Sequence, residues 1–281
     1  MARLGQSPVL WQARRVTVGA VFGAEDGLLV IIDGVKSEVD HASLTGLRIV
    51  EVRQRKFAIA PEAPAVVILT GQASLAGTDA WQWAEDFMSR EFSDGVALGS
   101  PRQLARQVVA GLETVIAEDT VNRQKQGRQS GSGVEGLLAA AIDSASPGCV
   151  PGEVWSFAID EELTITGPNK VLGFTDPGSP WPLEIVPDRP AFLPLVSTGE
   201  RLPADAILER FQHHVETFRT TELKVVREQV IERMSALAGA EHDAFSRHGV
   251  GGLWAVIEIR SSDRPRVTYH GWGPGLPALG L

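Results

Sequence analysis

The sequence predicts an α+β fold in which antiparallel sheets carry two pairs of helices. Three observations predict it. Apolar periodicity runs in the order strands, two helices, strands, two helices, strands. The strand–helix–strand alternation of a doubly wound parallel sheet is absent. Turn signals such as Asp26-Gly27 join neighbouring apolar runs directly, as antiparallel neighbours require. With no composition break and no short repeat, residues 17–270 read as a single domain. Residues 1–16 are then an N-terminal extension and 271–281 an irregular tail.

The elements follow in order. Val16–Phe22 is apolar and β-branched, and Leu28–Ile32 is its return strand, ending at Asp33-Gly34. Leu47–Val52, Lys56–Ala60 and Ala65–Leu69 follow as strands, the last two separated by Pro61 and Pro64. Thr78 or Asp79 caps a helix to about Phe92, with Trp81, Ala84, Phe87 and Met88 on one side. Ser100-Pro101 starts a second, carried by Leu104, Val108, Leu112, Val115 and Ile116. Asn122–Gly133 is polar and Gly-rich, hence a loop. Gly136–Ile142 and Val154–Ile159 are buried strands, and Leu163–Thr166 is a hairpin partner. The Pro-rich stretch Asp176–Pro194 is an extended loop with a short strand at Leu183–Val186. Ile207, Phe211, Val215 and Phe218 mark one helix. Leu223, Val226, Val230, Met234 and Leu237 mark another after a Thr220-Thr221 break, where a Thr can cap, with Gly239 at its end. Leu253–Ile259 is the last long strand, with Arg266–Tyr269 as a partner.

Composition excludes whole classes of function. The chain has 281 residues, 43% hydrophobic and 22% charged, which is globular rather than disordered. Its net charge of −9 argues against a general nucleic-acid partner. The longest aliphatic run, Leu28–Ile32, falls far short of the ~20 residues of a membrane span. Met1–Val16 has no apolar core of a signal peptide, so a cytoplasmic setting is expected. The lone Cys149 fits a reducing compartment and excludes a cysteine-based metal site.

Several motifs dissolve on inspection. Gly131-Ser-Gly133-Val-Glu-Gly136 matches GxGxxG, but it leaves a helix and enters a strand, the reverse of what a phosphate-binding turn needs. His213-His214 lie on a predicted helix, where adjacent side chains point about 100° apart rather than to one zinc ion. His41, His242, His248 and His270 show no ligand spacing. Trp81 and Trp83 serve packing. No metal and no cofactor is expected.

One constellation carries chemistry. Thr17-Val-Gly-Ala-Val-Phe opens a strand, the chain turns at Asp26-Gly27, and the return strand ends at Asp33-Gly34-Val35-Lys36-Ser37. Ile68-Leu69-Thr70-Gly71 precedes a helix, Leu195-Val196-Ser197-Thr198-Gly199 precedes another, and Asp243–Gly252 (DAFSRHGVGG) precedes the last strand. This order resembles the proteasome β-subunit and HslV family of N-terminal-nucleophile hydrolases over roughly Thr17 to Ile259. The resemblance implies a four-layer αββα sandwich of two antiparallel sheets flanked by helix pairs. It implies Thr17 as nucleophile, freed when a propeptide is cut, with its own α-amine as base. Asp33 and a basic residue at about Arg48 set the electrostatics, and the Gly71 amide stabilises the oxyanion. Ser197, Asp243 and Ser246 fall in degraded forms of the family's other site segments. A threonine-type peptidase in a homo-oligomeric ring is implied, acting on peptide or unfolded protein, with an ATPase partner.

Two departures stand beside this. Arg48 replaces the family's Lys and sheds no proton at ordinary pH; Lys36 is an alternative cation. Val16 precedes Thr17 where the family usually cuts after Gly. Each residue also has a plain reading: Thr17 as a strand residue, Asp33 as a turn residue, Arg48 as a surface charge. A catalytically silent structural or binding member of the fold, and an amidohydrolase of a small amide, remain alternatives.

Overall fold

Glu25 and Asp26 turn the first hairpin, between β1 (Gly19–Ala24) and β2 (Gly27–Ile32). The computed structural model describes residues 18–39, 47–51, 53–61, 63–71, 74–75, 77–91, 100–126, 134–142, 152–160, 163–173, 183–186, 203–211, 213–218, 220–247 and 250–272. The strands continue with β3 (Lys36–Val39), β4 (Leu47–Glu51), β5 (Phe57–Ile59), β6 (Ala65–Gly71), β7 (Ser74–Leu75) and β8 (Thr78–Asp79). Helices α1 (Ala80–Glu91) and α2 (Pro101–Lys125) follow, then β9 (Val134–Ala141), β10 (Gly152–Ile159), β11 (Ile165–Gly173) and β12 (Leu183–Val186). Next come α3 (Pro203–Phe211), α4 (Val215–Phe218), α5 (Leu223–Ala240) and α6 (His242–Arg247), and finally β13 (Leu253–Ile259) and β14 (Arg266–Gly271).

The architecture is α+β with two five-stranded antiparallel sheets. The first has the order β12-β1-β2-β13-β14 and the second β11-β10-β9-β6-β5. Alternate residues of β2 explain its unbroken apolar run. Leu28, Val30 and Ile32 join a core shared with Ile68, Leu137 and Val154 of the second sheet. Leu29 and Ile31 join a core with Phe211, Val226, Val230 and Met234 of the later helices. A strand buried on both faces needs no polar alternation. A third core packs α1 and α2, through Ala84, Met88, Leu104, Val108 and Leu112, against Val67, Leu138 and Trp155.

Several boundaries differ from expectation for local reasons. Helix α2 runs on to Lys125 instead of ending before Asn122, and an Arg123–Asp119 pair at 2.6 Å supports that last turn. The cap of α5 is not a Thr: the Thr221 hydroxyl donates to the Thr217 carbonyl (2.7 Å). The α5 amide of Leu223 donates instead to Asp26 Oδ1 (2.6 Å), across 197 residues of chain. Asp26 Oδ2 also accepts from Arg260 Nε (3.1 Å), so the first hairpin is tied to both α5 and the end of β13. Gly239 lies inside α5 rather than ending it. His213 and His214 fall in a turn between α3 and α4, not on a helix. Residues 131–133 of the GxGxxG match lie outside the described residues. Gly136 sits within β9, where a Cβ meets the Phe157 ring at 2.5 Å and the Ile68 carbonyl at 2.8 Å.

Gly27 is needed for space rather than for turn geometry. A Cβ there runs into the Ile259 carbonyl oxygen, which the β2–β13 ladder holds in place. Gly27→Ala is therefore expected to lower stability by roughly 1–3 kcal/mol, as overpacking does. Gly239 has nothing within 4 Å of its added Cβ, and Gly239→Ala is expected to raise stability by about 0.5–1 kcal/mol. Thermal melts of both variants check the opposite signs.

An aromatic cluster closes the helical side of the first sheet. Trp254 packs at 5.8 Å from Trp272, whose Nε1 donates to Ser235 Oγ (2.9 Å), and His270 stacks on Trp272 at 5.4 Å. Burial, and then the Arg227 guanidinium, hold His270 below the ordinary imidazole range. Burial, then Arg233, His213 and Arg210, do the same to His214. Both imidazoles take up protons more readily in the unfolded chain. Their contribution to stability is thus full above about pH 6.5 and is lost as pH falls through the folded values. Replacing His270 by Gln is expected to flatten the acid side of the stability curve; an unchanged slope contradicts this.

Candidate functional site

Asp33 follows the last residue of β2 and is the buried charged residue of the described structure, 1% exposed. The apolar strand before it carries it under the surface, and donors surround it there. Val18 N–H donates to Oδ1 (2.9 Å) and Val35 N–H to Oδ2 (3.2 Å). Lys56 Nζ donates to both oxygens at 2.9 Å. The Asp33 amide in turn donates to the Val18 carbonyl (3.0 Å). Burial is the largest influence and raises this carboxyl above the ordinary carboxylate range, while the Lys56 ammonium and the two amides offset part of that rise. Both oxygens receive donors, so the carboxylate is the form that the geometry accommodates at neutral pH.

The lysine arrives from the stretch between β4 and β5. Gln54 N–H donates to the Gly34 carbonyl (2.8 Å), and Leu69 N–H of β6 donates to the Lys56 carbonyl (3.3 Å). This strings residues 54–56 between the end of β2 and the middle of β6. Gly34 N–H donates to the Gly251 carbonyl (3.1 Å), which brings the chain ahead of β13 to the same corner. Gly251 and Gly252 have φ of +139° and +73°, backbone that disfavours a side chain.

The expected residues are distributed unevenly around this corner. Thr17 and Ser197 lie outside the described residues; Val18, bonded to Thr17, is held by Asp33 from both sides. Gly71 ends β6, two residues (about 7 Å of strand) beyond Leu69, opposite Val134. Arg48 pairs with Glu38 on the β3–β4 hairpin, three residues before the Glu51–Lys36 pair at its base. The ammonium seen on Asp33 is that of Lys56; the side chains of Arg48 and Lys36 lie outside the described residues. The chain returns to Asp33 after β4, at Lys56. Asp243 sits in the first turn of α6 with its side chain 93% exposed, 3.7 Å from His242 Nδ1. Ser246 is on the same helix, and its side chain lies outside the described residues. The reading from sequence missed Lys56 altogether, placing it only as the first residue of a strand. A single lysine opening an apolar stretch was the available signal.

The arrangement is a desolvated cation–carboxylate pair fixed to the backbone at the entry of β1. Such a pair sets a strong local potential in a low-dielectric setting. Among the described residues no group of three or more His, Cys, Asp or Glu gathers to hold a metal ion. No helix among them is long and apolar enough to cross a membrane.

No protein-family model and no curated protein matches the chain. A solved structure of the Gly-1 mutant of Anbu from Hyphomicrobium sp. strain MC1 is similar over 91% of this chain and 87% of that one. Its TM-score is 0.47 and its sequence identity 15%. The assignment to the proteasome β-subunit and HslV family made from sequence is thereby overturned. That identity and score carry neither family nor activity to this chain.

Proposed function

We propose that this chain is a threonine-type hydrolase of peptide bonds, with Thr17 as nucleophile once the Val16–Thr17 bond is cut. The observation that carries the proposal is the buried Asp33–Lys56 pair clamped onto Val18, the residue bonded to Thr17. A free Thr17 begins one peptide bond away from that clamp.

In this reading the Thr17 hydroxyl oxygen attacks the substrate carbonyl carbon and its proton passes to the Thr17 α-amine. An α-amine has a pKa of about 7.7–8, suited to accept and return a proton near neutral pH. The Lys56 ammonium, oriented by Asp33, favours the ionised oxygen. The Gly71 amide at the end of β6 donates to the oxyanion. Collapse of that adduct breaks the C–N bond, and the α-ammonium protonates the departing amine. Water then hydrolyses the ester on Thr17, with the amine again serving as base.

The three cores are the support for a four-layer αββα arrangement. One domain over 17–270, a removed segment 1–16 and a tail at 271–281 complete the reading. A homo-oligomeric ring, unfolded protein as substrate, an ATPase partner and a cytoplasmic setting belong to the same proposal. Native mass tests the ring directly, and a monomer excludes it. For the activity, the chain beginning at Thr17 is expected to cleave fluorogenic peptides while the chain retaining Val16 does not. Equal rates for the two overturn the proposed nucleophile.

A second reading is favoured by the saturation of Asp33, whose oxygens already hold Val18, Val35 and Lys56. There the pair is a structural pin at the entry of β1. The chain is then a catalytically silent structural or binding protein with residues 1–16 retained.

A further inference from the structure

Lys56 lies in the chain between two residues that are themselves anchored. Arg55 Nε donates to the Phe57 carbonyl (3.0 Å), so the side chain of residue 55 spans Lys56 and closes onto the residue beyond. Arg55 Nη2 meets Glu85 Oε1 at 2.8 Å. The guanidinium lies over the Phe57 ring at 4.8 Å and over the Trp81 ring at 4.6 Å. Trp81 and Glu85 are four apart on α1 and share one helix face. Phe57 is 2% exposed, in the core between the sheets. Arg55 thus meets α1 while Lys56 meets Asp33.

We infer that Arg55 is a positioning residue: it bolts the backbone that carries Lys56 to helix α1, and so sets where the Lys56 ammonium stands beside Asp33. A planar guanidinium is needed, because it offers two directed donors and two stacking faces at once. The significance of this for catalysis rests on the proposed function. The geometry itself is independent of it.

Competitive trace acetylation of the full chain, read lysine by lysine by mass spectrometry, tests the inference without any substrate. Lys56 is expected to label far more slowly than the exposed Lys125 and Lys224. Arg55→Ala is expected to raise Lys56 labelling about tenfold, as the ammonium leaves its carboxylate partner and becomes accessible, with Lys125 and Lys224 unchanged. Arg55→Gln keeps the stem and one donor, guards against failure to fold, and is expected to raise it in the same direction. General loosening raises all lysines together, and that result, or unchanged Lys56 labelling in both variants, overturns the inference. If Lys56 responds alone while Thr17 proves inert, the positioning role stands and the proposed function fails. If Thr17 is active while Lys56 does not respond, the reverse holds.

Discussion

Asp33→Ala is expected to cost about 3–5 kcal/mol of folding stability, the usual cost of removing one partner from a buried ion pair. The Lys56 side chain is 9% exposed, and its charge is left in a site built around a carboxylate. The loss is larger than the pair's own attraction, because it includes the desolvation of the cation left behind. The Val18 and Val35 amides lose their acceptor in the same step. Lys56→Met is expected to cost less, roughly 1–3 kcal/mol, because Asp33 keeps both amides and escapes its charge by taking up a proton. The double variant is expected to fall well short of the sum, as for residues in one network. Urea unfolding with an unchanged slope gives these values from the midpoints. An Asp33→Ala midpoint within error of the parent contradicts the buried pair.

Thr17→Ala is expected to reduce peptide hydrolysis to background while leaving the unfolding midpoint in place. The clamp on the neighbouring residue runs through the Val18 amide and carbonyl, which that substitution does not touch. Activity and stability therefore separate at position 17 and combine at Asp33. Parental activity in the Thr17→Ala chain, measured on the same fluorogenic peptides, identifies a different nucleophile.

The residues differ in how far their roles were legible in sequence. Asp33 was legible as the residue that ends the apolar return strand, while its role in a site came only from the family resemblance; its burial follows from β2 being apolar on both faces. The short strand Leu183–Val186 was placed to the residue, because prolines bound it closely on both sides. Gly27 was singled out for a turn, yet the carbonyl of Ile259, more than two hundred residues away, is what excludes a side chain. No local pattern encodes that approach. Asp26 read as a hairpin residue, while its carboxylate in fact caps α5. Lys56 was missed for the same reason: its meeting with Asp33 depends on the excursion of the chain through β3 and β4, which a count along the sequence cannot register. Conversely, Asp243 looked like a site residue from the motif around it. Its place in the first turn of a short surface helix turns its carboxylate to solvent, where it complements the helix N-terminus.

The central claim is that Thr17, freed at its nitrogen, becomes a nucleophile beside Asp33 and Lys56. Intact-mass measurement after exposure to a peptide epoxyketone tests it most directly, since the stable adduct needs both the hydroxyl and a free α-amine. A chain beginning at Thr17 is predicted to gain one reagent mass, located at Thr17, and to lose that gain in Thr17→Ala. A folded chain beginning at Thr17 that stays unmodified contradicts the account.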